Sequence, residues 1–182
     1  MSAGRWFACS LFLLAVLSSC RDNRVVVRQF EDAYCTAGGD RVKELGTLDE
    51  GAEFVPLAGE PQVLPVFSSW LAMSSPLALR LRGIPPENAR VLIGWDLDGQ
   101  GIDEVAFDVD LLCAADQTPE PVVYTLSIGE QYGTAEDYTE PVEGFLRIRV
   151  AAAGTDPATC TEDGPACLVV DEPVQYLLAT SE

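Results

Sequence analysis

Between Trp95 and Glu104 the chain sets oxygen donors at alternate positions: the Asp96 and Asp98 carboxylates, the Gln100 amide, the Ile102 carbonyl and the Glu104 carboxylate. Calcium takes six to eight oxygens, and alternate residues of a tight loop converge on one ion. Gly101 supplies the sharp turn such a loop needs. Calcium is therefore the cofactor this spacing points to. A solvated acidic turn, held by the backbone preferences of Asp and Gly, accounts for the same residues without a metal.

Other side chains narrow the chemistry further. The chain has no histidine, which removes Ser-His-Asp and Cys-His catalysis and every zinc site built on imidazole. A glycosidase-like carboxylate pair needs two acids about 5–9.5 Å apart across a cleft. Asp96 with Glu104, or Glu136 with Asp137, offer themselves for that role by charge density alone. No Gly-x-Ser-x-Gly, phosphate loop or dinucleotide fingerprint is present. The acidic, tyrosine-bearing stretch Glu130–Tyr138 has the composition of a contact loop, with Tyr132, Glu136, Asp137 and Tyr138 as its binding residues. An ordinary solvent-facing hairpin tip fits it equally in composition.

Charge limits the partners. The net charge is -18, and removal of residues 1–19, which hold Arg5 and no acid, makes it one unit more negative. Nucleic acid, which demands clustered Lys and Arg, is excluded as a partner, as is an anionic lipid surface held through basic residues. From Val91 to Leu146 there are thirteen acids and no base. A solvated acidic face or a cation site explains that run.

The N-terminus carries an address. Arg5 is the only charge before the apolar run Trp6–Leu17, which is too short for the ~20 residues a membrane-spanning helix needs. A positive start, a short apolar core and small residues after it describe an export signal. Leu17-Ser18-Ser19-Cys20 then resembles the lipobox of bacterial lipoproteins. That resemblance implies cleavage before Cys20 and acylation of its thiol, with two or three chains giving stable anchoring where one is marginal. Arg21 stands where the inner-membrane retention Asp would be, so the resemblance further implies the outer membrane of a Gram-negative envelope. With Cys9 and Cys20 assigned to export, Cys35, Cys113, Cys160 and Cys167 remain, an even number in an exported chain. Cys160 and Cys167 flank a turn-forming stretch and are expected to pair, leaving Cys35 with Cys113. Three pairings are possible in all, and a four-thiolate zinc site is the rival, although no Cys-x-x-Cys spacing is present.

The elements that must position these residues read as strands. Alternation places Leu77, Leu79 and Leu81 on one face, then Val91, Ile93 and Trp95, then Val105, Phe107, Val109 and Leu111. Val122, Tyr124, Leu126 and Ile128 repeat it, as do Leu146, Ile148 and Val150, with Arg147 and Arg149 outward, and finally Val174, Tyr176 and Leu178. Val25–Val27, Phe54-Val55 and Val63–Phe67 read as further strands, the last two interrupted by Pro56, Pro61 and Pro65, which confine them to edges. Asp40–Leu45 is the best helical fragment.

The strand ending in Trp95, followed at once by Asp-x-Asp-Gly-x-Gly, resembles the signature of PKD domains. That family implies an immunoglobulin-like sandwich with the Trp in its core and the Asp-Gly loop as the turn after it. Gly144–Val150 is similar to its closing strand, while the acidic insertion Gly129–Glu143 and the absence of a His-Thr-Tyr segment depart from the pattern. The donor spacing from Asp96 also resembles FG-GAP and dockerin-type calcium loops. Gln100 is neutral where those prefer Asp, and Phe107 stands where an EF-hand needs a bidentate glutamate. A propeller would need many such loops, and one is present.

The expected fold is all-β: an immunoglobulin-like (PKD-like) antiparallel β-sandwich with an extra N-terminal segment and a C-terminal disulfide hairpin. Residues 1–19 are the signal peptide, 20–61 an N-terminal segment partly packed as strands, 62–152 the sandwich, and 153–182 the disulfide hairpin and last strand. The expected role is a non-catalytic binding or structural module held to the membrane by its N-terminal lipid, with an envelope protein or glycan as partner. A calcium-binding adhesive module and an envelope carbohydrate hydrolase are the alternatives.

Overall fold

A computed structural model describes residues 34–69, 73–99, 101–128 and 133–179. The leader, Cys20, the Val25–Val27 run, Gln100 and Tyr132 lie outside the described residues. The described residues lie in one compact unit. It is mostly β: strands β1 Val42–Leu48, β2 Phe54–Pro56, β3 Gln62–Ser68, β4 Met73–Arg82, β5 Ala89–Leu97, β6 Asp103–Val109, β7 Val122–Ile128, β8 Val142–Ala151 and β9 Cys167–Leu178. Among the described residues, two short 3-10 turns, Ala135–Tyr138 and Pro157–Thr159, interrupt the connections.

The strands form one curled, mixed sheet in the order β2-β1-β4-β3-β9-β8-β5-β6, with β7 on the other side of β4. The curl follows from β3. Its first five residues pair with β9 and its last two with β4, so one strand passes from one half of the sheet to the other. Every ladder is antiparallel but one, and the expectation of a wholly antiparallel sheet is corrected there: β3 runs parallel to β9. β3 is antiparallel to β4 at Phe67–Ser68, and the same direction of travel sets its earlier residues parallel to β9. Pro65, which lacks an N–H for a second ladder, sits where β3 has a neighbour on one side only.

Alternation shows how the core is filled. Leu77, Leu79 and Leu81 of β4, Val91, Ile93 and Trp95 of β5, Leu146, Ile148 and Val150 of β8, and Val174 and Tyr176 of β9 are buried in one cluster. Each such aliphatic side chain contributes about 1.5–3 kcal/mol by leaving water. On β6, Val105, Phe107 and Val109 are only half-buried against this core. The Phe107 ring stacks on Tyr124 of β7 with centroids 5.4 Å apart, joining two strands that share no ladder.

The helical expectation for Asp40–Leu45 is also corrected. Val42–Gly46 pair residue by residue with Arg82–Ala78 of β4, and Leu45 enters the core. Five ladder positions and a buried leucine outweigh a short stretch of helix-tolerant residues, which cannot nucleate alone. Strands from the 20–61, 62–152 and 153–182 segments thus all enter the same sheet.

Two disulfides close the fold: Cys35–Cys113, with Cα atoms 4.9 Å apart, and Cys160–Cys167, at 5.7 Å. All four sulfurs are used, which displaces the four-thiolate zinc alternative.

Candidate functional site

The turn between β5 and β6 is built as a hairpin. Trp95 is buried on β5, opposite Asp103 of β6 and Leu146 of β8. After Leu97 the chain reverses through Asp98 and Gly99, both at positive φ (+53° and +67°), the conformation of tight hairpin turns that Asp-Gly favours. The Asp98 N–H donates to the Glu143 carbonyl at 2.9 Å, and Asp96 Oδ1 accepts from the Gly101 N–H at 3.1 Å.

These bonds answer the calcium expectation. Glu104 belongs to the β6 ladder, opposite Gly94, and is exposed there. Ile102 lies against the same glycine, its methyl 3.0 Å from where a Cβ would stand. Asp98 points into solvent at the tip, and Asp96 is engaged by the turn's own backbone. Among the described residues no three His, Cys, Asp or Glu side chains come together as a metal group. Asp96, Asp98 and Glu104 are therefore not gathered into one ligand set.

The acidic stretch after β7 also differs from a free contact loop. Asp137 Oδ2 accepts from both the Thr134 N–H (2.6 Å) and the Thr134 hydroxyl (3.0 Å), which caps the 3-10 turn. These bonds, the backbone one first, hold the Asp137 carboxyl below the usual aspartate range. Gly133 adopts φ +108°, and a Cβ there would meet Asp137 at 2.6 Å. Tyr138 is corrected from a contact residue to a core residue: it is 1% exposed and packs within the hydrophobic cluster. Burial, and then the charges of Asp137 and Asp98, push its phenol above the ordinary tyrosine value. Glu136 and Asp137 are exposed side by side on this turn rather than facing across a cleft.

A groove the sequence did not announce lies where β1 and β9 face each other without a ladder. It measures about 480 Å³ and is lined by Lys43, Leu45, Leu57, Gln62, Val170 and Asp171 among others. Two aspartates organise its rim. Asp163 accepts from Lys43 Nζ at 2.8 Å and from the Val169 N–H at 2.8 Å, with Arg41 at 3.7 Å. Partial burial pushes the Asp163 carboxyl up, but the Lys43 hydrogen bond, the Val169 N–H and the two cations outweigh it and hold it low. Asp171 receives Arg149 in a fork at 2.8 and 2.7 Å, with Arg147 at 3.5 Å. The Arg149 hydrogen bond is the main reason its carboxyl also lies low.

Arg149 corrects the expectation of an outward arginine. It is only 9% exposed, and Nη1 also donates to the Val170 carbonyl at 3.1 Å. Its fork is satisfied by carboxylate and backbone together, which is how a buried guanidinium is tolerated. Lys43 and Asp163 are 120 residues apart, so no local pattern could have joined them. A shallower depression of about 390 Å³ holds Asp108 and Asp156 beside Arg90. Asp156 there caps a 3-10 turn by accepting from the Ala158 N–H at 3.0 Å, and Asp108 faces Arg90 at 3.9 Å.

Compared with family models, with curated proteins and with solved structures, the chain matches none.

Proposed function

We propose that this chain is an exported lipoprotein, acylated at Cys20 and displayed at the outer membrane as a non-catalytic binding or structural module. The observation that carries this is the state of its thiols. All four cysteines beyond Cys20 are joined in two bridges, the arrangement of an oxidising compartment. Export is what the short apolar leader before Cys20 implies.

Within that role the domain is read as an immunoglobulin-like, PKD-like sandwich. In such a fold strand B pairs with E, C lies beside F and F beside G, and a Trp on C fills the core. The pairs β4–β7, β5–β8 and β8–β9 support those assignments, as does buried Trp95 on β5. The B–F disulfide of antibody domains has no counterpart here, since the two bridges lie elsewhere.

A non-catalytic role is supported by the use the fold makes of its acids. Asp96, Asp137, Asp156, Asp163 and Asp171 each accept hydrogen bonds that build turns or join strands. The partner is an envelope protein or a glycan.

The test is chemical. The full chain is expressed in a Gram-negative host, and the N-terminal peptide of the membrane fraction is analysed by mass spectrometry. The expected result is a peptide beginning at Cys20 with added acyl mass, and a Cys20→Ala variant that loses it. An unmodified Cys20, or a chain retaining residues 1–19 in the cytosol, overturns the proposal.

A further inference from the structure

We propose that the Cys160–Cys167 bridge is a reducible latch: intact, it holds β1 against β9, and when reduced by a dithiol it lets the groove between them open. β1 and β9 are not ladder neighbours. Along the groove they are joined through side chains. Lys43 Nζ of β1 donates to the Val169 carbonyl of β9 at 2.9 Å and to Asp163 Oδ2 at 2.8 Å. Asp163 Oδ1 in turn accepts from the Val169 N–H at 2.8 Å, and Arg41 lies at 3.7 Å. One carboxylate therefore clasps both strands.

That carboxylate is positioned by the disulfide. Asp163 stands in the middle of the loop closed between Cys160 and Cys167, which are seven positions apart. Within the loop, Gly164 and Cys167 exchange two backbone hydrogen bonds. With the bridge intact the loop has few conformations, and Asp163 meets Lys43 and Val169 at little entropic cost. Without it, the clasp must order the eight-residue, partly exposed segment from Cys160 to Cys167 with only the segment's own backbone bonds to help.

The two bridges differ in access at one sulfur. Cys35, Cys113 and Cys160 are buried, whereas Cys167 is half-buried and closes a loop whose residues Thr161, Glu162 and Asp163 are exposed. Thiol exchange requires a thiolate to reach a sulfur. A dithiol attacks Cys167 Sγ, the bond to Cys160 Sγ breaks, and Cys160 departs as a thiolate that takes up a proton. The second thiol of the reductant then attacks the mixed disulfide and releases Cys167, itself becoming a cyclic disulfide. Two electrons pass from the reductant to the bridge. The released loop takes Asp163 away from Lys43 and Arg41, leaves the Lys43 bond to the Val169 carbonyl as the one tie across the groove among those described above, and uncovers the Val169 amide on the groove wall.

The test uses the full oxidised chain, graded dithiothreitol, differential alkylation read by mass spectrometry, and amide exchange read residue by residue. The expected result is alkylation of Cys160 and Cys167 at reductant levels that leave Cys35 and Cys113 joined. In that singly reduced state the Val169 amide exchanges about tenfold faster, the scale of one lost charge-assisted hydrogen bond, while β5 amides are unchanged. Asp163→Ala, which removes the acceptor with the bridge intact, speeds Val169 in the same way. Reduction of Cys35–Cys113 first or together, or an unchanged Val169 amide in the singly reduced protein, overturns the latch.

Discussion

Removing the Cys35–Cys113 bridge should cost far more stability than removing Cys160–Cys167, and the loop lengths say by how much. The first bridge spans 78 positions and the second seven. Closing a chain in the unfolded state removes entropy that grows with the logarithm of loop length, which gives about 4.5 kcal/mol for the long loop and about 2.4 kcal/mol for the short one. The long bridge also pins the beginning of the described chain, where the Cys35 N–H donates to the Leu111 carbonyl and Tyr34 bridges to Leu112. The perturbation is the paired substitution Cys35→Ala with Cys113→Ala, compared with Cys160→Ala with Cys167→Ala. Both are followed by urea unfolding at neutral pH. With a slope of about 2 kcal/mol per molar urea, the long-loop variant should lose about 2 M in midpoint and the short-loop variant about 1 M. The slope itself should rise more in the long-loop variant, because its unfolded chain exposes more surface. An equal or larger loss from the short-loop variant would refute the entropic reasoning.

Gly144→Ala should lower the thermal midpoint, because a Cβ there would stand 2.5 Å from the buried Tyr176 ring and 2.6 Å from the Asp96 carbonyl, both fixed by the core. Overpacking of this kind costs about 1–3 kcal/mol, and a variant as stable as the parent by calorimetry would contradict the close approach of β8, β9 and β5. Asp163 and Asp171 have carboxyls held below their unfolded value of about 3.9, so their contribution is complete above that pH and is lost as the pH falls through the lower folded values. The urea midpoint should therefore fall as pH drops below about 4, and Asp171→Asn should flatten the fall; an unaltered slope in that variant contradicts the assignment. Calcium should leave the thermal midpoint unmoved between chelator and millimolar metal, since a ligand of the folded state would raise it, and a rise would restore the Asp96–Glu104 loop as a metal site.

What the sequence alone determined is what depends on neighbours along the chain. Period-two alternation marks the buried faces of β4, β5, β8 and β9, because successive side chains of a strand point to opposite sides whatever the strand pairs with. Asp98-Gly99 announces the hairpin turn, because its backbone preferences are local. The Cys160–Cys167 pair follows from a short turn-forming spacing. What only the tertiary structure decided is which distant groups meet. Val42–Gly46 became a strand because β4 offered a ladder and the core a place for Leu45. Tyr138 turned inward because the 3-10 turn capped by Asp137 aims it at the core. Arg149 went under cover because Asp171 and the Val170 carbonyl meet its fork. The parallel course of β3 beside β9, and the Lys43–Asp163 clasp across the groove, depend on partners more than a hundred residues away. Local pattern says which face of a strand is apolar, but the choice of partner is settled by burial and charge pairing summed over the whole chain.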